Sequence, residues 1–235
     1  MNIRQQASRQ SQQGFTLVEL MISSVIGLLL TTAMLAAFVA SSRTYQLQDA
    51  MSEVQEDGRF AMNILMRDLR QSGVDSSSDE TVVGIENTAK TVKDFEGEYG
   101  DLVITQSSIK SNIIYLPGLE GTGVTYYVGD TGVGRISLYR KNQPLVEGVA
   151  GLAFEYGVDS NNDDLVDSYK VFADMSAADW EDVITVRFSL LVSSFGSGVT
   201  DQAQVLIAPF DGVDTSDRRL YQVYTATAML RNAVL

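Results

Sequence analysis

From Leu20 to Ser42 the chain runs for 23 residues without one charged side chain. About 20 apolar residues, rising ~1.5 Å each in a helix, cross the hydrocarbon of a bilayer. The stretch is therefore long enough to span a membrane and too apolar to be left in water. Ahead of Phe15 the only charged side chains are Arg4 and Arg9, whereas the whole chain has 17 Lys+Arg against 30 Asp+Glu, a net charge of -13. Positive residues before the span and an acidic bulk after it predict a cytoplasmic N-terminus, with the rest outside. An uncleaved signal anchor fits the same pattern. A cleaved secretory signal does not, because the run exceeds the usual apolar region of about 7–15 residues and no Ala-x-Ala site follows it.

Glu19 stands at the start of this span. An acid at mid-bilayer costs about 2.5–3.5 kcal/mol, less near the interface, and normally has a partner. No basic residue lies between Arg9 and Arg43. Scission between Gly14 and Phe15 would supply one, since the new α-amino group of Phe15 is a cation four residues from Glu19.

The segment Gln13-Gly14-Phe15-Thr16-Leu17-Val18-Glu19-Leu20-Met21-Ile22 resembles the processing motif of type IV pilins and type II secretion pseudopilins. The resemblance implies that a membrane aspartyl protease, the prepilin peptidase, cuts after Gly14 and N-methylates Phe15, with Glu19 as the fifth-position glutamate. Residues 1–14 are then a leader peptide, and its loss leaves 15 basic against 30 acidic side chains, a net of -15. Because the cut precedes the apolar run, membrane retention survives it.

Past the span, Leu47, Met51, Val54, Gly58, Ala61, Leu65 and Leu69 recur at steps of three or four, which keeps one apolar face in register. No proline occurs before Pro117, and Gly73 is placed as a stop after Arg67 and Arg70. The pattern predicts one helix from Phe15 to Ser72, with a membrane half (15–42) and an amphipathic half (43–73, counting the stop). The amphipathic part after Val54 is expected to pack on its own domain. The first half, apolar all round, needs lipid or neighbouring helices to cover it.

Residues 74–235 read as a β-rich globular domain. Asp75–Glu98 is polar and loop-like, with one short strand at Thr81-Val82-Val83. Strands are predicted at Leu102–Ile104, Ile113–Tyr115, Val124–Val128, Arg135–Tyr139, Leu152–Tyr156, Val183–Val192 and Tyr221–Leu230. The expected fold class is α+β, with an antiparallel sheet on the second half of the helix.

A wider resemblance is to minor pilins of the PilW type. It rests on Ser42-Arg43-Thr44-Tyr45, the helix Leu47–Gly73 with Glu56-Asp57-Gly58-Arg59-Phe60-Ala61 and Arg67-Asp68-Leu69-Arg70, the segment Trp180–Ser193, and Arg218–Tyr221 through Arg231-Asn232. It implies a pilin fold and a structural role in priming or capping a type IV pilus. The implied partners are prepilin peptidase, other minor pilins, the major pilin, a tip adhesin and inner-membrane lipid before assembly. It also implies residence in the bacterial inner membrane, domain in the periplasm, and then in the pilus. A type II secretion pseudopilin shares the N-terminus. A membrane-tethered periplasmic module for calcium-dependent binding or adhesion is the alternative from another class.

Asp159-Ser160-Asn161-Asn162-Asp163-Asp164-Leu165-Val166-Asp167 places side-chain oxygens at relative positions 1, 3, 5 and 9, with the Leu165 carbonyl at position 7, the offsets of a calcium loop. Asp164 stands where glycine usually makes the sharp turn, and Lys170 where an EF-hand has its bidentate Glu. Two readings stay open, a structural calcium site and a solvated acidic turn, and no cofactor is required. PilW-like sequences carry a similar loop here.

Cysteine and histidine are both absent, which removes thiol nucleophiles, Ser-His-Asp triads, thiolate zinc sites and imidazole bases. No Walker loop, dinucleotide fingerprint or Gly-x-Ser-x-Gly elbow occurs. An enzyme is not expected. The acidic field repels phosphate backbones, so direct nucleic-acid binding is not expected either. Trp180 is expected as a core anchor.

Overall fold

The computed structural model describes residues 14–72, 83–85, 113–116, 123–130, 136–141 and 143–231. Residues 1–13 of the expected leader, Gly73, most of the loop from Asp75 and the strand expected at Leu102–Ile104 lie outside the described residues.

One helix, α1 (Leu17–Gln71), runs for 55 residues. It starts two residues later than Phe15 because Thr16 acts as its N-cap, and no proline interrupts it. The chain divides into two compact units with the boundary between Tyr45 and Gln46, inside α1. In the first unit residues 14–41 are exposed throughout.

Among the described residues the second unit holds the rest of α1 and nine strands: β1 (Val83–Ile85), β2 (Ile113–Leu116), β3 (Val124–Asp130), β4 (Ile136–Arg140), β5 (Gln143–Glu147), β6 (Val149–Val158), β7 (Ser168–Lys170), β8 (Val183–Ser193) and β9 (Tyr221–Met229). They form two antiparallel sheets, β1-β2-β3-β4-β5 and β7-β6-β8-β9. The single sheet expected from the pattern is thus two. The division falls at Gly148, whose left-handed φ of +81° lets the chain leave β5 and enter β6 at once. A Cβ there would lie 2.7 Å from the Ser193 carbonyl oxygen, and the Ser193 amide donates to the Gly148 carbonyl at 2.7 Å. β5 is absent from the predicted strands because Pro144 reads against a central strand, and β5 is indeed an edge.

Within this unit α1 buries Ala50, Val54, Gly58, Ala61, Leu65 and Leu69, one face of a 3.6-residue helix. Burying each of Val54, Leu65 and Leu69 is worth about 1.5–3 kcal/mol. Leu47 and Met51, expected on this face, are 38% and 44% exposed. Ala50, between them in sequence, is buried, so the seam here runs through Ala50 and Val54, where the Tyr224 hydroxyl donates to the Val54 carbonyl and the Phe195 amide to Glu53. One core joins this face to Leu116, Val128, Leu152, Phe154, Phe188 and Leu190 from both sheets. Trp180 sits in a short 3-10 turn (Ala178–Trp180), its ring edge-on to Tyr156 with centroids 4.7 Å apart, and so anchors the core as expected.

Candidate functional site

Gly14 and Phe15 precede α1, and Glu19 lies in its first turn. The Thr16 backbone amide and hydroxyl both donate to Glu19 Oε2, at 3.0 and 2.9 Å. The Glu19 amide donates back to Thr16 Oγ1 at 3.2 Å. This is a reciprocal capping box, in which the N-cap hydroxyl and the third helical residue satisfy each other's orphan amides. The Thr16-x-x-Glu19 spacing carries the signal, although the expectation from sequence pairs Glu19 with the α-amino group of Phe15 and not with Thr16. Glu19 thereby turns its carboxylate toward the helix start, onto the Thr16 amide.

The apolar surface that follows has its polar groups folded back. The hydroxyls of Ser23, Ser24, Thr31, Thr32 and Thr44 donate to the carbonyls of Glu19, Leu20, Gly27, Leu28 and Ala40, each one turn earlier. None of these hydroxyls needs water, which is what an apolar surround demands. Leu28, Met34 and Phe38 are each 70% exposed or slightly more. α1 has the length and hydropathy to cross a membrane, with none of its most apolar stretch buried.

The loop Asp159–Asp167 joins β6 to β7. Asp159 is buried, and its carboxylate accepts from the amides of Asn161, Asp163 and Asp164, the last at 2.8 Å. Asn161 Oδ1 accepts from the Asp163 amide, and Asp163 Oδ1 from that of Leu165. Asp167 accepts from the Ser160 amide and hydroxyl. Asn162 and Asp164 take left-handed φ values of 58° and 64°, so Asp164 adopts the conformation glycine usually supplies. The side chains hold the turn in shape through its own amides. Among the described residues no group of three or more acidic side chains is placed to hold a metal ion.

A charged cluster in the second unit escaped the sequence reading. Asp68 lies on the buried face of α1 at 1% exposure. It accepts from the Tyr126 hydroxyl at 2.7 Å and from Arg140 Nε at 2.8 Å, joining helix, β3 and β4. Burial, then the hydrogen bond to Asp68 and its charge, hold the Tyr126 phenol far above its ordinary pKa, so it stays a donor. The available signal was an acid in helical step with Leu65 and one before Leu69.

A cleft of about 1040 Å³ in the second unit is lined by Glu53, Phe60, Phe210, Asp217 and Arg219 among others. Its polar groups serve the fold. Glu53 accepts the Phe195 amide, while Arg219 binds Asp217 and the carbonyls of Ser194 and Phe195.

Residues 125–232 match the family model described as type IV pilus-assembly protein W. Residues 9–35 match the prokaryotic N-terminal methylation motif. A type IV-like pilin from Thermus thermophilus is similar in structure with a TM-score of 0.44 at 16% identity, over 77% of this chain and 97% of that one. No curated protein matches the chain. A prepilin methylation motif thus lies over the start of α1 and a stretch similar to pilus-assembly protein W over β3 to β9, and together they support a type IV pilus minor pilin of the PilW type.

Proposed function

We propose that this minor pilin enters the pilus by exchanging lipid for neighbouring helices around Phe15–Val39, with Glu19 compensated by the α-amino group of Phe15 on an adjoining subunit. Its part in pilus assembly, processing by prepilin peptidase and association with other pilins follow from the motif and the domain. The apolar helix and the motif fit a single-pass inner-membrane protein that passes into a pilus. In the finer reading the cut falls after Gly14, Phe15 is N-methylated, the domain faces the periplasm, and the subunit belongs to a priming or tip complex.

The capping box at the start of α1 supports this reading. Thr16 holds the carboxylate of Glu19 at the exposed start of the helix, open to an amine brought up by an adjoining subunit. A buried charge left alone costs far more than a paired one. Compensation between subunits would thus favour the correct axial stagger and penalise others. An amine on the same chain is the rival geometry.

Glu19→Gln separates capping from charge, because glutamine also closes a capping box. The variant is expected to insert and be processed normally while its incorporation into pili falls at least tenfold, as for Glu19→Ala. Incorporation of Glu19→Gln at the unsubstituted level would reduce the residue to a cap.

For the loop at 159–167 we propose a self-supported turn, with calcium as a structural addition held by Asp159, Asn161, Asp163, the Leu165 carbonyl and Asp167. No cofactor is needed for the fold. Bound calcium would neutralise three acids between β6 and β7.

A further inference from the structure

The edges of the two sheets are treated unequally. β1 and β7 are three residues long. β5 carries Pro144 and Glu147, and its register with β4 shifts at Leu138/Tyr139. Short strands, proline, charge and irregular register are the usual devices that keep an edge from pairing with another chain. β9 has none of them. It is nine residues long, Tyr-Gln-Val-Tyr-Thr-Ala-Thr-Ala-Met, without charge or proline, and it pairs with β8 in unbroken register from Tyr221 to Met229.

The direction of its main-chain groups follows from that register. The Leu230 amide donates to Ile184 and the Ser194 amide to Leu220, so even-numbered residues of β9 face β8. Tyr221, Val223, Thr225, Thr227 and Met229 therefore point their N–H and C=O groups away from the sheet. At Tyr221 both outward groups are met by the Gln204 side-chain amide: the Tyr221 N–H donates to Oε1 at 2.6 Å, and Nε2 donates to the carbonyl at 3.3 Å. A primary amide here does what a peptide unit of a neighbouring strand would do. From Val223 to Met229 the outward groups have no hydrogen-bond partner among the described residues.

We propose that the β9 edge accepts an extended strand from a different pilin subunit, which continues from Gln204 the pairing that this side chain begins. Resting on the minor-pilin reading, this adds a contact made by the domain to those made by α1. The recognised chemistry is a peptide backbone in β conformation, with uncharged side chains beside Val223, Thr225 and Thr227. A second copy of this chain is disfavoured as the donor because each processed copy keeps 15 basic against 30 acidic side chains, a net of -15.

Hydrogen exchange of the full processed chain in detergent tests the proposal, with the other pilins of the same pilus purified in that detergent and added one at a time. One of them is expected to slow exchange at Val223, Thr225, Thr227 and Met229 at least tenfold, leaving Gln222, Tyr224, Ala226 and Ala228 unchanged. Thr227→Pro removes an outward donor and no bond to β8, so it should weaken that association at least tenfold. Measuring its melting temperature separates this loss from unfolding. The proposal is overturned if another pilin binds but the odd-numbered amides stay fast, an outcome that leaves the minor-pilin reading intact. It is overturned equally if these amides are protected by this chain alone as its concentration rises. Failure of every pilin to associate would remove both readings.

Discussion

Between Leu17 and Val39, α1 turns leucine, methionine and phenylalanine outward on every side, while between Ala50 and Leu69 it buries one face and leaves the opposite one polar. The backbone is one continuous helix in both. Satisfaction of polar groups differs. In the first stretch serine and threonine hydroxyls return to carbonyls one turn back, so almost nothing on the surface asks for water. In the second, Asp68 reaches across to Tyr126 and Arg140, and Tyr224 closes on the Val54 carbonyl. One half is built to be covered by other molecules and the other by its own domain. Changes in the second half should therefore alter melting, whereas changes in the first should alter assembly.

The largest effect on melting is expected at Asp68. Asp68→Ala removes the buried carboxylate to which Arg140 and the Tyr126 hydroxyl both donate, and breaking such a buried pair costs about 3–5 kcal/mol. Chemical denaturation of the full chain should show it, and a loss below 1 kcal/mol would mean that water replaces the carboxylate. Gly58→Ala is next. The added Cβ would overlap the Tyr224 ring, and overpacking costs about 1–3 kcal/mol. Helix propensity offsets about 1 kcal/mol of that, so a net gain in stability would show that Tyr224 moves freely. Calcium comes last. EDTA should leave the melting temperature unchanged, and millimolar calcium should raise it by about 2–4 °C, the size expected of about 1 kcal/mol in a chain of this length. Asp163→Ala should remove the rise, whereas its persistence would place the ion elsewhere.

How far the sequence was legible follows the same division. The uncharged run and the methylation motif were readable because they are local in the chain, as was the seam Val54–Leu69. The strands β2, β3, β4, β8 and β9 were readable from alternation, and β6 in its central part. β5 was not, since its proline is tolerated only at an edge and edges are known only once strands are paired. The split into two sheets turns on Gly148, one residue whose conformation no pattern announces. Asp68 looked like any helical acid because Arg140, its partner, is 72 residues away. The Thr16–Glu19 box was equally legible, but the lone acid drew attention to a counter-charge, the α-amino group of Phe15, and not to a cap.

The central claim is that removing the leader creates the amine Glu19 answers, and the mass of the mature N-terminus tests it most directly. Protein isolated from its native envelope should begin at Phe15 and carry one added methyl group on its amine. A chain still beginning at Met1 would contradict the account, since Glu19 would then have only Thr16 for a partner.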